Sequence, residues 1–284
     1  MNTTTNRSRW ALKKTARSII ATASLAPYLP GREPDVRVLT YHRFGTIPRD
    51  PFCVSVADFE RQMSYIAEHN LAVSLRELEA FIAGRKELPR NSLLITIDDG
   101  FRSTYLHALP VLEHYAVPAV AFISPGLIDG SSPVTRESLP PEDYINWDEA
   151  QTLQEKGVTI GSHAMTHTSV ARMPPDQAQQ EIFLSRQILK ERLGEPVSSF
   201  AYPFGTRADF NTSTASLIRG AGYTCAFTSQ HGAIQATSNA YTLPRVKVEG
   251  GEGLWLFRRI ARGGLDAWRW IDRALWRIQA SGSG

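Results

Sequence analysis

The sequence predicts an α/β fold of the barrel type, and three observations carry the prediction. Short apolar, β-branched runs recur along the chain, each separated from the next by a stretch of helical periodicity, in about seven units. Alternation of this kind builds right-handed βαβ units and a parallel sheet. No glycine-rich turn of the dinucleotide-binding type is present, which favours a barrel over an open doubly wound sheet. The 284 residues, 42% hydrophobic and 21% charged, suffice for one such domain with a sizeable core.

The elements follow in order. Residues 1–33 carry Arg7, Arg9, Lys13, Lys14 and Arg17 ahead of a weakly apolar segment, Ser18 to Leu29, that stops at Pro30-Gly31. Thr22, Ser24 and Pro27 dilute that segment, so it reads first as an uncleaved basic amphipathic helix, then as a secretory signal, then as a disordered tail. It falls short of the ~20 strongly apolar residues that span a bilayer.

Val36 to His42 is the first strand of a barrel taken to run over residues 34–250. Ser55 can cap a helix with Phe59, Met63 and Ile66 on one face, and Gly84 can end a second helix that starts at Arg76. Leu93 to Asp98 reads as a strand buried on both faces, ending in Asp98-Asp99-Gly100. A helix through Tyr105 to Tyr115 and a strand from Val117 to Ser124 come next, with Pro118 tolerated at the strand's start.

Residues 125–146 read as a long surface loop overhanging the site. A helix from Trp147 to Lys156, a strand Val158 to Gly161 and a helix Pro174 to Leu193 follow. After them come a strand Val197 to Tyr202, a helix Thr214 to Gly220, a strand Thr224 to Thr228 and a last strand near Tyr241 to Leu243.

Residues 251–280 form a Trp/Arg-rich helical segment, with Trp255, Trp268, Trp270 and Trp276 interleaved with arginines and an apolar stripe at Leu265, Trp268, Ile271, Leu275 and Ile278. It reads as a helix closing the barrel, or as an interfacial helix for anionic lipid. Together with the basic first segment it gives the expectation of membrane-surface contact through both termini. Ser281 to Gly284 reads as a flexible tail.

The formal charge of +3 gives no argument for nucleic-acid binding. Cys53 and Cys225, far apart, read as two unpaired thiols rather than a disulfide framework or a Cys-rich zinc site.

Two clusters carry chemistry. Asp98-Asp99-Gly100 is either a helix cap and turn or a pair of carboxylates delivered to a site. His163 and His167, four apart after a strand, are either structural histidines or ligands on one side of a helical turn. Taken together they offer a carboxylate and two imidazoles to one ion and leave positions open, as catalytic metal sites do. Neighbours on an extended chain project to opposite sides, so one Asp would bind the ion and the other act as a base. That disfavours a glycosidase, whose carboxylates flank the substrate ~5–9 Å apart.

Three motifs in order, Ile95-Thr96-Ile97-Asp98-Asp99-Gly100-Phe101, Gly161 to His167 and Phe200-Ala201-Tyr202-Pro203-Phe204-Gly205, resemble the first three signatures of the polysaccharide deacetylases, carbohydrate esterase family four. The similarity runs from about Val36 to about Val248. It implies a distorted (β/α)7 barrel that removes acetyl groups from N-acetylated amino sugars in a polymer or its lipid-linked precursor, with a divalent metal, Zn2+ before Co2+ or Ni2+. By the same resemblance Asp98 is the base, Asp99, His163 and His167 are the metal ligands, and the Phe204 backbone N–H is the oxyanion donor. Tyr41, Tyr202, Pro203 and Phe204 are expected against the substrate.

The chain departs from the family pattern twice. Ala201 stands where the third motif usually has Arg, and Leu243-Pro244-Arg245 stands where the last motif usually ends in His. Arg245 is therefore expected to pair with Asp98, and the acid is expected to be His42 or Asp98 itself, since guanidinium does not release a proton. A non-catalytic sugar-binding relative and, from the two-His-one-carboxylate set, an iron-dependent oxygenase are the rivals. The expected location is the cytoplasm or the cytoplasmic membrane surface, with a periplasmic or exported protein as the alternative.

Overall fold

The computed structural model describes residues 3–24, 35–131 and 143–280. The Pro30-Gly31 stop, the middle of the 125–146 loop and the Ser281–Gly284 tail lie outside the described residues. The strands are β1 (Val36–Tyr41), β2 (Arg43–Phe44), β3 (Cys53–Val54), β4 (Ser92–Ile97), β5 (Ala119–Ile123), β6 (Thr159–Ser162), β7 (Ser199–Ala201), β8 (Cys225–Phe227) and β9 (Val246–Lys247). The helices are α1 (Thr3–Ala23), α2 (Val56–Glu68), α3 (Leu75–Ile82), α4 (Leu109–Tyr115), α5 (Pro125–Ile128), α6 (Trp147–Glu155), α7 (Pro175–Leu193), α8 (Thr212–Gly220), α9 (Leu254–Ala261) and α10 (Trp268–Ala280).

Seven strands form one parallel sheet in the order β8-β7-β6-β5-β4-β1-β9, and β2 pairs with β3 apart from it. The sheet curls nearly shut. Leu243 bridges to Phe227 of β8, and three residues later Val246 pairs with Leu39 of β1, so one short segment joins both edges. This is the distorted (β/α)7 barrel.

Alternation along each strand sorts the side chains. Val36 and Val38 of β1, Leu94 of β4, Val120 and Phe122 of β5, and Phe227 of β8 share one buried cluster with Leu243, the barrel interior. The alternate residues Leu39, Tyr41, Leu93, Ile95 and Ile97 pack outward in a second cluster. Followed toward the strand ends, the inward column of β1 runs Val36, Val38, Thr40, His42, and that of β4 runs Leu94, Thr96, Asp98. Both turn from apolar to polar at the C-terminal mouth, where barrel sites form.

Helix ends follow the local signals. Ser55, Ser74, Asn146 and Asn211 each accept a backbone N–H as N-cap, the last three in capping boxes. Between Thr104 and Ala108 the expected helix widens into a π-turn just before Pro110, whose ring nitrogen cannot donate. The last strand is Val246–Lys247 rather than Tyr241 to Leu243. Pro244 interrupts the ladder, so Leu243 makes a single bridge.

Both terminal segments are bound to the barrel through buried ions. Arg17 of α1 donates from Nε and Nη2 to Glu252, while Lys13 and Lys14 reach Glu249 at 2.6 and 2.9 Å. At the other end of the barrel Arg37 of β1 binds Asp266, just before α10, at 3.0 and 2.8 Å, and Asp35 at 3.0 and 2.9 Å. Cys53 and Cys225 are buried free thiols. Among the described residues no helix is long and apolar enough to cross a membrane.

Candidate active site

At the mouth, β4 ends in a sharp turn: Asp99 has φ 75° and Gly100 φ 74°. A left-handed Asp costs energy that the surroundings must over-determine, and such residues cluster at functional sites. Here the turn, rather than the alternation of an extended chain, sends the two carboxylates apart. Asp98 N–H donates to Tyr41 O of the neighbouring strand at 2.9 Å and its carboxylate faces Arg245; Asp99 faces the histidines.

His163 and His167 do not lie on a helical turn. They sit in a loop in which Ala164 and His167 have φ 61° and 60°, and Glu181 of α7 holds that loop through the N–H and hydroxyl of Thr166 at 2.9 and 2.8 Å. The left-handed bends bring the two imidazoles together, ring centres 4.9 Å apart. Asp99 Oδ1 is 3.0 Å from His167 Nε2 and 3.3 Å from His163 Nε2.

The donor chemistry of these three fits a cation. His163 Nδ1 donates to Ala201 O at 2.7 Å, which leaves the Nε2 lone pair turned toward Asp99. A carboxylate oxygen and two imidazole nitrogens lie within 4.8 Å of one another and are buried. Burial would raise the Asp99 pKa, but the facing imidazoles, His167 foremost, hold it well below the ordinary carboxylate range.

Arg245 lies on Asp98, with Nη1 to Oδ1 and Nη2 to Oδ2 both 2.7 Å. The guanidinium is fixed in turn by Nε donating to Thr228 O at 2.9 Å and by the Phe122 ring 5.6 Å away. That ring needs Gly161 beside it, because a Cβ there would come within 2.4 Å of it. Burial acts to raise the Asp98 pKa, and Arg245 together with His163 and His42 outweighs it, so the carboxyl stays below its usual value.

These groups line a cavity of about 520 Å3 with His42, Phe52, Tyr202 and Phe204. His42 is half-buried, its ring centre 4.8 Å from that of Phe52. Burial pushes its pKa down to about 4 against the pull of Asp99 and Asp98, so the resting ring is neutral near pH 7. Phe204 has φ 62°, and no acceptor takes its N–H among the described residues.

Tyr41 is not at the cavity. Strand alternation turns it outward, where it is fully buried against Phe59 and donates to Gln62 Oε1 at 2.8 Å. Pro203 lies in the turn that carries Phe204 without lining the cavity. His69, His107 and His114 are exposed, as their helical positions suggest. His231 and Lys247, which no sequence motif singles out, both line the cavity. The one signal for His231 was Asp272, a lone carboxylate beside the apolar stripe of α10.

The comparisons with known proteins agree with this geometry. The profile of the family described as polysaccharide deacetylase matches residues 85–226, half of the chain. The chain is 24% identical over 208 residues to the poly-beta-1,6-N-acetyl-D-glucosamine N-deacetylase of Staphylococcus aureus (strain MRSA252), covering 69% of this chain and 68% of that protein. Its fold is similar to the structure of IcaB from Ammonifex degensii, with TM-score 0.66 and 26% identity over 82% of this chain and 98% of that one. It is also similar to the Streptococcus pyogenes deacetylase PplD in complex with acetate, with TM-score 0.70 and 18% identity over 81% and 97% of the two chains. A curled seven-strand barrel with an Asp-His-His cluster at its mouth, matched over half its length by one family's profile, makes this chain a member of the polysaccharide deacetylases, hydrolases of acetyl groups.

Proposed function

We propose that the protein hydrolyses N-acetyl groups on an amino-sugar polysaccharide or its lipid-linked precursor, with Asp99, His163 and His167 holding a divalent cation. The observation that carries this reading is the convergence of those three donors beside a separate carboxylate, Asp98, that an arginine holds in place. A cation bound there, Zn2+ first with Co2+ or Ni2+ as alternatives, supplies Lewis-acid polarisation of the amide carbonyl and acidifies water.

The chain's own groups do the rest. Asp98, ionised and oriented by Arg245, takes the proton of the attacking water. The Phe204 N–H stabilises the oxyanion that forms on the carbonyl. His42, neutral at rest, receives that proton from Asp98 and hands it to the leaving nitrogen as the C–N bond breaks, and Asp98 is then again ionised. Tyr202 and Phe204 line the space for the sugar.

The terminal segments belong to the same catalytic unit in this reading, since Lys13 and Arg17 of α1 and Trp268 and Asp272 of α10 wall the cavity. Exposed Leu12, Ile19, Trp255 and Trp270 support contact with a membrane surface. Lys13, Lys14 and Arg17 do not serve that contact, because Glu249 and Glu252 engage them.

The test is acetate release from β-1,6-linked N-acetylglucosamine oligomers by protein reconstituted with each metal. Release that stops on chelation and returns with one of the ions is expected. Binding of the oligomers without acetate release would put the chain among non-catalytic relatives.

A further inference from the structure

Strand β9 directs two cations inward. Arg245 precedes it and goes to Asp98; Lys247, two residues on, faces the same cavity about 7 Å further toward the mouth. The two meet different surroundings. The Lys247 ammonium packs 5.5 Å from the centre of the Phe52 ring and has no carboxylate within 4 Å among the described residues. The nearby acids are engaged elsewhere. Glu249 takes Lys13 and Lys14, and Asp272 accepts from the backbone N–H and Nδ1 of His231 at 2.8 and 2.9 Å.

His231 supplies a second, different group to the same cavity. With Nδ1–H committed to Asp272, its Nε2 is left as an acceptor, buried and without a hydrogen-bond partner. The residue is only 6% exposed and its ring centre lies 5.9 Å from that of Trp268, which also lines the cavity. An ammonium with no anion within 4 Å and a buried imidazole acceptor with no donor thus line one cavity, close enough that the Lys247 charge acts on the His231 ring. An oxyanion paired with Lys247 and a hydroxyl donated to His231 satisfy both. Burial, with Lys13 nearby, depresses the Lys247 pKa, a cost that an anion relieves.

We propose that Lys247 and the Nε2 of His231 form a subsite for an acidic sugar unit, carboxylate- or phosphate-bearing, next to the unit that is deacetylated. Turnover of such a substrate rests on the deacetylase reading; the subsite itself is a binding claim.

Calorimetric titration of the full chain with three probes tests it: a disaccharide of N-acetylglucosamine, the same disaccharide with one unit replaced by glucuronic acid, and N-acetylglucosamine 1-phosphate. At least one acidic probe is expected to bind about ten-fold tighter than the neutral one at low salt. A preference for the glucuronic acid probe assigns a uronic unit in a polymer, and a preference for the phosphate assigns a sugar phosphate. Lys247→Gln should cost the preferred probe about ten-fold more affinity than it costs the neutral disaccharide, and Lys247→Arg should keep the preference. Equal binding of all three probes, or equal weakening of all three by Lys247→Gln, overturns the proposal. Acetate release from the neutral disaccharide is read separately, so loss of the deacetylase reading and loss of the subsite are told apart.

Discussion

Arg245 donates from both terminal nitrogens to the two oxygens of Asp98, 2.7 Å each, from a strand end 147 residues away in sequence. Both partners are almost wholly buried. A bidentate fork of this kind fixes where the carboxylate points as well as its charge. Removing the guanidinium leaves a buried carboxylate uncompensated, at a cost of ~3–5 kcal/mol. Arg245→Gln is therefore expected to lower the unfolding temperature and to cut kcat by ~10²–10⁴-fold, the usual worth of a positioned base. Arg245→Lys, which keeps a charge without the fork, should fall between. Wild-type turnover in the Gln variant would take Arg245 out of the site.

His42 faces the same mouth with its pKa pushed down to about 4. A ring with that value is neutral across pH 5–8, so the acid limb of kcat/KM should show no ionisation near the ordinary histidine value of ~6.5. The charged ring exists only during turnover, as a strong donor to the leaving nitrogen. An amide needs that proton; an activated aryl acetate does not, because a phenolate leaves unaided. His42→Ala should thus lose ~10²-fold or more on N-acetyl sugars and far less on the aryl acetate. Equal losses on both substrates would mean that His42 shapes the site without moving a proton.

What was legible in the sequence follows from which signals are local. The runs at Val36 and Leu93 read correctly because a strand buried on both faces has to be apolar along its length. The Arg245 to Asp98 contact was legible from a deficit: a buried carboxylate without its family arginine at Ala201 needs a cation from elsewhere, and Arg245 was out of pattern too. The error at Tyr41 was one of parity, since its neighbour His42 faces the mouth and alternation sends Tyr41 the other way. The His163-x-x-x-His167 spacing counts as helical, yet the rings meet through left-handed Ala164 and His167, which residue spacing does not encode. The last strand was missed because two residues and a preceding proline leave no periodicity to read. His231 and Asp272 meet across 41 residues and a helix packing that no local pattern specifies.

The Asp99, His163 and His167 cluster gives a prediction that needs no substrate. Three buried acceptors crowded around one point repel one another unless a cation or protons intervene. A divalent ion that binds the folded chain stabilises it by mass action, ~2.7 kcal/mol at a hundred times its dissociation constant. Chelation should lower the unfolding temperature by several degrees, and re-addition should restore it with one ion per chain by elemental analysis. His167→Ala should abolish both the stoichiometry and the shift. A variant that still binds one ion with the same shift would place the metal elsewhere.

Helix α1 is attached through Glu249, and that attachment should depend on pH in a defined direction. Burial acts to raise the Glu249 pKa, but Arg17, Lys13 and Lys14 outweigh it and hold the carboxyl far below its ordinary value. A carboxylate whose pKa is depressed by folding contributes its full stabilisation above its unfolded value of ~4.3 and loses it as the pH falls from there toward the folded value. The α1 amides should therefore be protected from hydrogen exchange at pH 7, and the protection, corrected for intrinsic rates, should fall below about pH 4. Glu249→Gln should loosen α1 already at pH 7, with the Arg17 to Glu252 pair left in place. Because α1 contributes Lys13 and Arg17 to the cavity wall, its loosening should raise KM for long oligomers more than it lowers kcat. Protection that stays constant down to pH 3 would show that apolar packing of α1 against α9, with Ala21 in the core, holds the helix without the ion pairs.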